Sequence, residues 1–94
     1  MSFYVYIIKS ESCDIYYKGF SEHPLLRLQQ HNNAECNFTS GILPWKLVYL
    51  EIYLNKKEAL KRDNTLKHYS HYQIENLIDS SKNKLDEFIT SRNV

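Results

Sequence analysis

Arg27 and His31 stand four residues apart in "RLQQHN", a spacing that puts both side chains on one face of a helix. A guanidinium can fork two N–H groups onto an oxyanion, and an imidazole titrating near neutrality can take or pass on a proton. Just upstream, "YYKG" at residues 16–19 sets adjacent tyrosines, a lysine and a glycine ahead of that helix. Farther on, Asp63 falls among Ala59, Leu60 and Leu66, the apolar stripe of a second helix. An acid on the core side of a helix costs desolvation unless a counter-charge or a metal ion satisfies it. Each group also has a structural reading. The tyrosines can be core or surface aromatics, and Arg27 a solvated helix residue. His31 can offset a helix C-terminal dipole, and Asp63 can cap or salt-bridge a neighbouring element. Glu58 points away from the stripe and reads as a capping-box carboxylate.

The elements that must position these residues follow from pattern. "FYVYIIKS" predicts a buried strand over residues 3–9, with Phe3, Val5 and Ile7 on one face and Tyr4, Tyr6 and Ile8 on the other. "SESCD" is a turn cluster, and Ile15 to Gly19 reads as the returning strand of a hairpin, with Ile15, Tyr17 and Gly19 sharing a face. Pro24 suits the first turn of a helix starting near Ser21–His23 and ending about Asn33, with Leu25 and Leu28 inward. Residues 33–44 read as a loop, and residues 45–54, "WKLVYLEIYL", as a strand apolar on both faces. Asn55 caps a helix running to about Tyr69. Ser70 and Gln73 open a third, with Ile74, Leu77 and Ile78 inward. After a break at Ser80–Ser81, Leu85, Phe88 and Ile89 mark a last helical piece. The order β–β–α–β–α–α predicts an α+β fold with an antiparallel sheet, one domain over residues 1–94.

Composition bounds the function. The chain has 94 residues, 43% apolar and 24% charged, as expected of one globular core. The net charge of +1 lacks the cationic surplus of many nucleic-acid proteins. Residues 56–68 nevertheless gather Lys56, Lys57, Lys61, Arg62 and Lys67 against Glu58 and Asp63, a basic face or a solvated helix surface. No apolar stretch predicts a membrane span, and no basic-then-apolar leader opens the chain, so the expectation is a cytoplasmic protein without a membrane partner. Cys13 and Cys36 then read as free thiols. His68 and His71 stand three apart with no third metal ligand, and Trp45 reads as a strand-start core residue.

With these residues placed, the chain resembles the GIY-YIG endonuclease superfamily, in particular its small stand-alone bacterial members. "VYI" at residues 5–7 stands where the family has GIY, and "YKG" at residues 17–19 where it has YIG. Arg27 and His31 match the Arg-x-x-x-His of the first family helix, "FTSGILPWKLVYLE" the loop and third strand, and "EALKRDNTLK" the second helix. The similarity covers residues 3–69, leaving 70–94 as a C-terminal helical extension. No single tripeptide is specific, but the ordered set is.

The resemblance implies a three-stranded antiparallel sheet flanked by helices and metal-dependent endonuclease hydrolysis of DNA phosphodiesters. It implies catalytic roles for Tyr6, Tyr17, Arg27 and His31, with Asp63 holding one Mg²⁺ or Mn²⁺ ion, and substrate contacts for Gly19, Lys18 and Lys67. For these residues to act together, the four catalytic side chains and Asp63 must meet in one cleft. Arg27 would fork onto the non-bridging oxygens, and Tyr6 or Tyr17 would accept a proton from water if a nearby cation favoured phenolate. The implied partners are DNA, branched or damaged forms included, and a separate protein supplying specificity. Three positions depart from the family pattern. Val5 replaces its first glycine, Leu26 stands where small relatives often carry a second arginine, and Asp63 replaces glutamate. The aspartate is one methylene, about 1.5 Å, shorter, and a misplacement of about 1 Å can cost roughly a hundredfold in rate. That predicts a weakly held ion. The alternative is a degenerate module that binds nucleic acid or a protein partner without cleavage.

Overall fold

The computed structural model describes residues 2–33 and 41–92; Cys36 and most of the loop after the first helix lie outside them. Three strands, β1 (Phe3–Ser10), β2 (Tyr16–Ser21) and β3 (Trp45–Tyr53), form an antiparallel sheet in the order β2-β1-β3. Helices α1 (Pro24–Asn32), α2 (Lys56–Leu66), α3 (His71–Ile78) and α4 (Leu85–Arg92) complete the α+β fold. No helix among the described residues is long and apolar enough to cross a membrane.

The sheet divides two apolar layers, as the alternation in β1 requires. Val5 and Ile7 pack with Ala59 and Leu66 of α2 and Ile74 and Leu77 of α3. On the other face, Tyr6 and Ile8 pack with Trp45, Leu47, Leu50, Leu28 of α1 and Phe88 of α4. A fully buried aliphatic such as Leu66 or Ile74 contributes about 1.5–3 kcal/mol in this way. In β3 the alternation is interrupted. Ile7 pairs with Tyr49 and Ile8 with Leu47, so Val48 is passed over as a bulge. Leu47 and Leu50 therefore share the α1 side, while Tyr49 joins the α2 layer.

Helix ends depart from the sequence expectations at specific points. No side-chain cap opens α1; Ser21 Oγ accepts from the His23 amide at 2.9 Å, and Pro24 takes the first turn. Its buried positions are Pro24 and His31, with Leu28 partly buried, whereas Leu25, expected inward, is exposed. Asn55 caps α2 by accepting from the amides of Lys57 and Glu58 at 2.8 and 3.3 Å. That helix ends at Leu66 rather than near Tyr69, because the amides of His68 and Tyr69 turn back on Thr65 and Leu66. Leu60, expected in the stripe, is exposed; the buried face is Ala59, Asp63 and Leu66. The Ser70–Gln73 capping box is present in full. Asn83 ties α4 back to the sheet by donating to the carbonyls of Val48 and Ile78 and accepting from the amides of Leu50 and Leu85.

Candidate active site

Tyr6 sits mid-strand in β1 opposite Gly19 of β2. Its ring lies across that glycine: a Cβ there would stand 2.6 Å from the Tyr6 hydroxyl, closer than atoms can approach. Gly19 is thus the opening that lets the phenol reach over the neighbouring strand. The resemblance implies a substrate contact at Gly19; on the side where a Cβ would stand, the space is occupied by the Tyr6 ring. The hydroxyl lies 3.3 Å from His31 Nε2 in a buried contact. Tyr17 brings its ring within 4.9 Å of the same imidazole.

His31 is fully buried, and burial, followed by the nearby Arg27 charge, lowers its pKa below the ordinary 6.5. The imidazole is therefore neutral at pH 7, with one nitrogen able to accept a proton. Arg27 lies one turn earlier on α1 and donates from Nη1 to Gln30 Oε1 at 2.7 Å. Asn32 holds the end of this helix against β3, its amide donating to Trp45 O at 3.0 Å and its Oδ1 accepting from Trp45 N at 2.5 Å. Both Asn32 bonds and the Gly19 opening join consecutive elements, α1 to β3 and β1 to β2, that lie beyond the reach of a single turn.

Asp63 belongs to the other face. It lies on the buried side of α2 with Ala59 and Leu66, which pack on Val5 and Ile7, whereas Tyr6 and His31 occupy the α1 side. The expected single cleft is thus two groups on opposite sides of the sheet. What joins them is the β2 edge. Tyr16, Tyr17, Lys18 and Lys67 line a shallow depression of about 220 Å³, and Lys67 Nζ is 3.1 Å from Asp63 Oδ2. Asp63 Oδ1 is buried and has no hydrogen-bond partner among the described residues. An orphaned anionic oxygen suits a hard cation. Among the described residues no group of three or more His, Cys, Asp or Glu could hold a metal, so water and phosphate would supply most ligands of an ion here. His71 contacts Asp14 and Glu75 instead of joining His68.

A second polar cluster escaped the sequence reading. Glu51 is buried in β3, a strand that the sequence predicts to be apolar on both faces. Arg62 donates to it from Nε at 3.0 and 3.1 Å and from Nη2 at 3.0 Å, Tyr53 donates at 2.5 Å, and Tyr49 donates to Oε2. Burial would raise the Glu51 pKa, but the bonds from Arg62, Tyr49 and Tyr53 outweigh it and hold the carboxyl below its usual value. Burial, then Glu51 itself, pushes both phenols above theirs. Arg62 is consequently no part of a solvated basic face. A charged residue inside an apolar strand was the signal that could have exposed this cluster.

Comparison with known proteins bears on these groups. The family profile described as the GIY-YIG catalytic domain matches residues 2–76. A UPF0213 protein of Clostridium perfringens is 35% identical over 86 residues, covering 90% of this chain and 91% of that protein. A UPF0213 protein of Staphylococcus epidermidis is 37% identical over 71 residues, covering 74% and 85%. The solution NMR structure of a UPF0213 protein from Bacillus halodurans superimposes with a TM-score of 0.56 at 26% identity, covering 87% of each chain.

Proposed function

From a chain that belongs to the GIY-YIG family, a nuclease-type family whose members generally use divalent metal ions, we propose an endonuclease that hydrolyses DNA phosphodiesters with Mg²⁺ or Mn²⁺. The observation that carries the proposal is the contact between the Tyr6 hydroxyl and a buried, neutral His31. His31 Nε2 accepts the Tyr6 proton as the phenol in turn takes a proton from the attacking water; the water oxygen bonds to phosphorus while the bond to the leaving oxygen breaks, and that oxygen takes a proton from solvent. Tyr17, beside the same imidazole and at the edge depression, positions that water. Arg27 stabilises the charge that grows on the non-bridging oxygens, and Lys18 and Lys67 contact the backbone. Asp63 lies across the sheet from Tyr6 and His31, so it would hold the ion at the β2 edge, where Lys67 links it to the depression beside Tyr17 and where the ion would supply Lewis-acid stabilisation of the developing oxyanions.

Incubation of the purified protein with supercoiled plasmid, branched DNA and single-stranded DNA, with and without Mn²⁺, tests this. Cutting is expected only with the metal and is expected to disappear in Tyr6→Phe, Tyr17→Phe and Arg27→Ala. Cutting that survives in those variants would remove the site from the reaction.

The Asp63–Lys67 ion pair favours a second reading, a module that binds nucleic acid or a protein partner without cleaving, since a lysine already meets the metal-site acid. Under that reading the wild type is inert, and binding to DNA falls with salt. Cutting restored by Asp63→Glu would identify a nuclease disabled by one methylene.

A further inference from the structure

Resting on the metal role proposed for Asp63, we infer that Lys67 is a resident cation on that carboxylate and is displaced by substrate. Its ammonium and a divalent ion compete for one acid, and the DNA backbone decides between them.

Three observations place Lys67 in this role. Its Nζ lies 3.1 Å from Asp63 Oδ2, so the carboxylate carries a positive charge before any ion arrives. Oδ1 of the same group is buried without a partner among the described residues, so one lysine leaves the acid only half satisfied. Lys67 itself is 54% exposed and lines the edge depression with Tyr16, Tyr17 and Lys18, whereas the Asp63 side chain is 9% exposed. The lysine is therefore the mobile partner, with a flexible stem and a choice of anions. A phosphate entering the depression offers a second anion beside Lys18. As Lys67 turns to it, Asp63 is left with both oxygens for a cation.

The consequence is thermodynamic coupling. Backbone phosphate and divalent ion each strengthen binding of the other, because each relieves the same ion pair. Without nucleic acid the ion is held weakly, which limits metal loading of the idle protein. The i,i+4 spacing makes the device local to one helix turn, so it needs no movement of the sheet.

The test is Mn²⁺ binding, read by electron paramagnetic resonance of the free ion, for wild type, Lys67→Met, Lys67→Gln and Asp63→Asn. Each is measured alone, with a phosphorothioate DNA duplex that keeps its charge and resists cleavage, and with an uncharged methylphosphonate duplex. Binding of Mn²⁺ by each duplex without protein is subtracted. Both lysine variants are expected to bind Mn²⁺ about fivefold more tightly than wild type, the scale of a partly exposed ion pair. The charged duplex is expected to tighten wild-type binding by about fivefold more than it tightens the lysine variants, which keep only the gain from phosphate ligation of the ion, and to lose its effect when uncharged; an equal gain in wild type and lysine variants would overturn the competition. If the lysine variants match wild type while Asp63→Asn abolishes binding, the competition fails and the metal role of Asp63 stands. If Asp63→Asn binds Mn²⁺ as wild type does, the metal role fails and the competition with it. Circular dichroism of each variant checks that its total helix content matches wild type.

Discussion

Glu51 and Asp63 are both buried acids on the α2 side of the sheet, and they are held in opposite ways. Glu51 receives a guanidinium through Nε and Nη2 and two phenols, which together saturate its oxygens. Asp63 has one lysine and one empty oxygen. Arg62 and Asp63 are neighbours in sequence, yet one closes a network and the other opens one. A closed network is fixed by its own partners and contributes to the fold. An open one leaves a deficit that a ligand can fill. The same division separates the tyrosines: Tyr49 and Tyr53 are committed to Glu51, whereas Tyr6 and Tyr17 surround a neutral imidazole.

The largest expected effect is at Glu51. Replacing it with alanine leaves the partly buried Arg62 without its counter-charge and Tyr49 and Tyr53 without their acceptor, and should cost about 3 kcal/mol in chemical denaturation. Asp63→Asn should cost less than about 1 kcal/mol, because its partner is a half-exposed lysine. Equal losses at the two acids would break the comparison.

The tyrosines sharpen it next. Tyr49→Phe removes a hydrogen bond to a charged group and should cost about 1.5–3 kcal/mol, whereas Tyr6→Phe removes a neutral one and should cost about 0.5–1.5 kcal/mol. Cleavage should show the reverse order, with Tyr6→Phe inactive and Tyr49→Phe active wherever it is folded. Gly19→Ala should cost about 1–3 kcal/mol by overpacking, and trimming Tyr6 should restore stability to that variant without restoring cutting.

The smallest effects are in pH. The folded His31 pKa lies below the unfolded 6.5, so as pH falls the unfolded chain binds the proton first. Stability should therefore decline from about pH 6.5 downward and level off below the folded value, and His31→Gln should lack that limb. Glu51, with a folded pKa below 4.5, adds stability that is complete above that pH and is lost as pH falls through the folded value. Two separate limbs in a urea-midpoint profile would distinguish the groups.

The strands and helices were legible because alternation and capping are local. Val5 and Ile7 separate from Tyr6 and Ile8 by period alone, and the Ser70–Gln73 box spans a single turn. Arg27 and His31 on one helix, and the buried Asp63, were visible for the same reason. What was hidden depends on partners far along the chain. The Val48 bulge redirects Tyr49 towards α2, where Glu51 meets an arginine eleven residues away. The crossing of Tyr6 over Gly19, and the separation of Asp63 from His31 by the sheet, exist only once strands are paired. Sequence order placed these residues in one list, whereas the sheet places them on two sides.

The sheet ends at β2, whose outer backbone groups meet no further strand among the described residues. A row of unpaired N–H and C=O groups invites another chain to add itself, and natural proteins discourage this with a cation on the border. Lys18 occupies that place in the middle of β2. The charge that would receive a phosphate also makes the border a poor template for a second copy. Exchanging Lys18 for an apolar residue would then make the protein prone to associate strand by strand as well as weaker toward DNA.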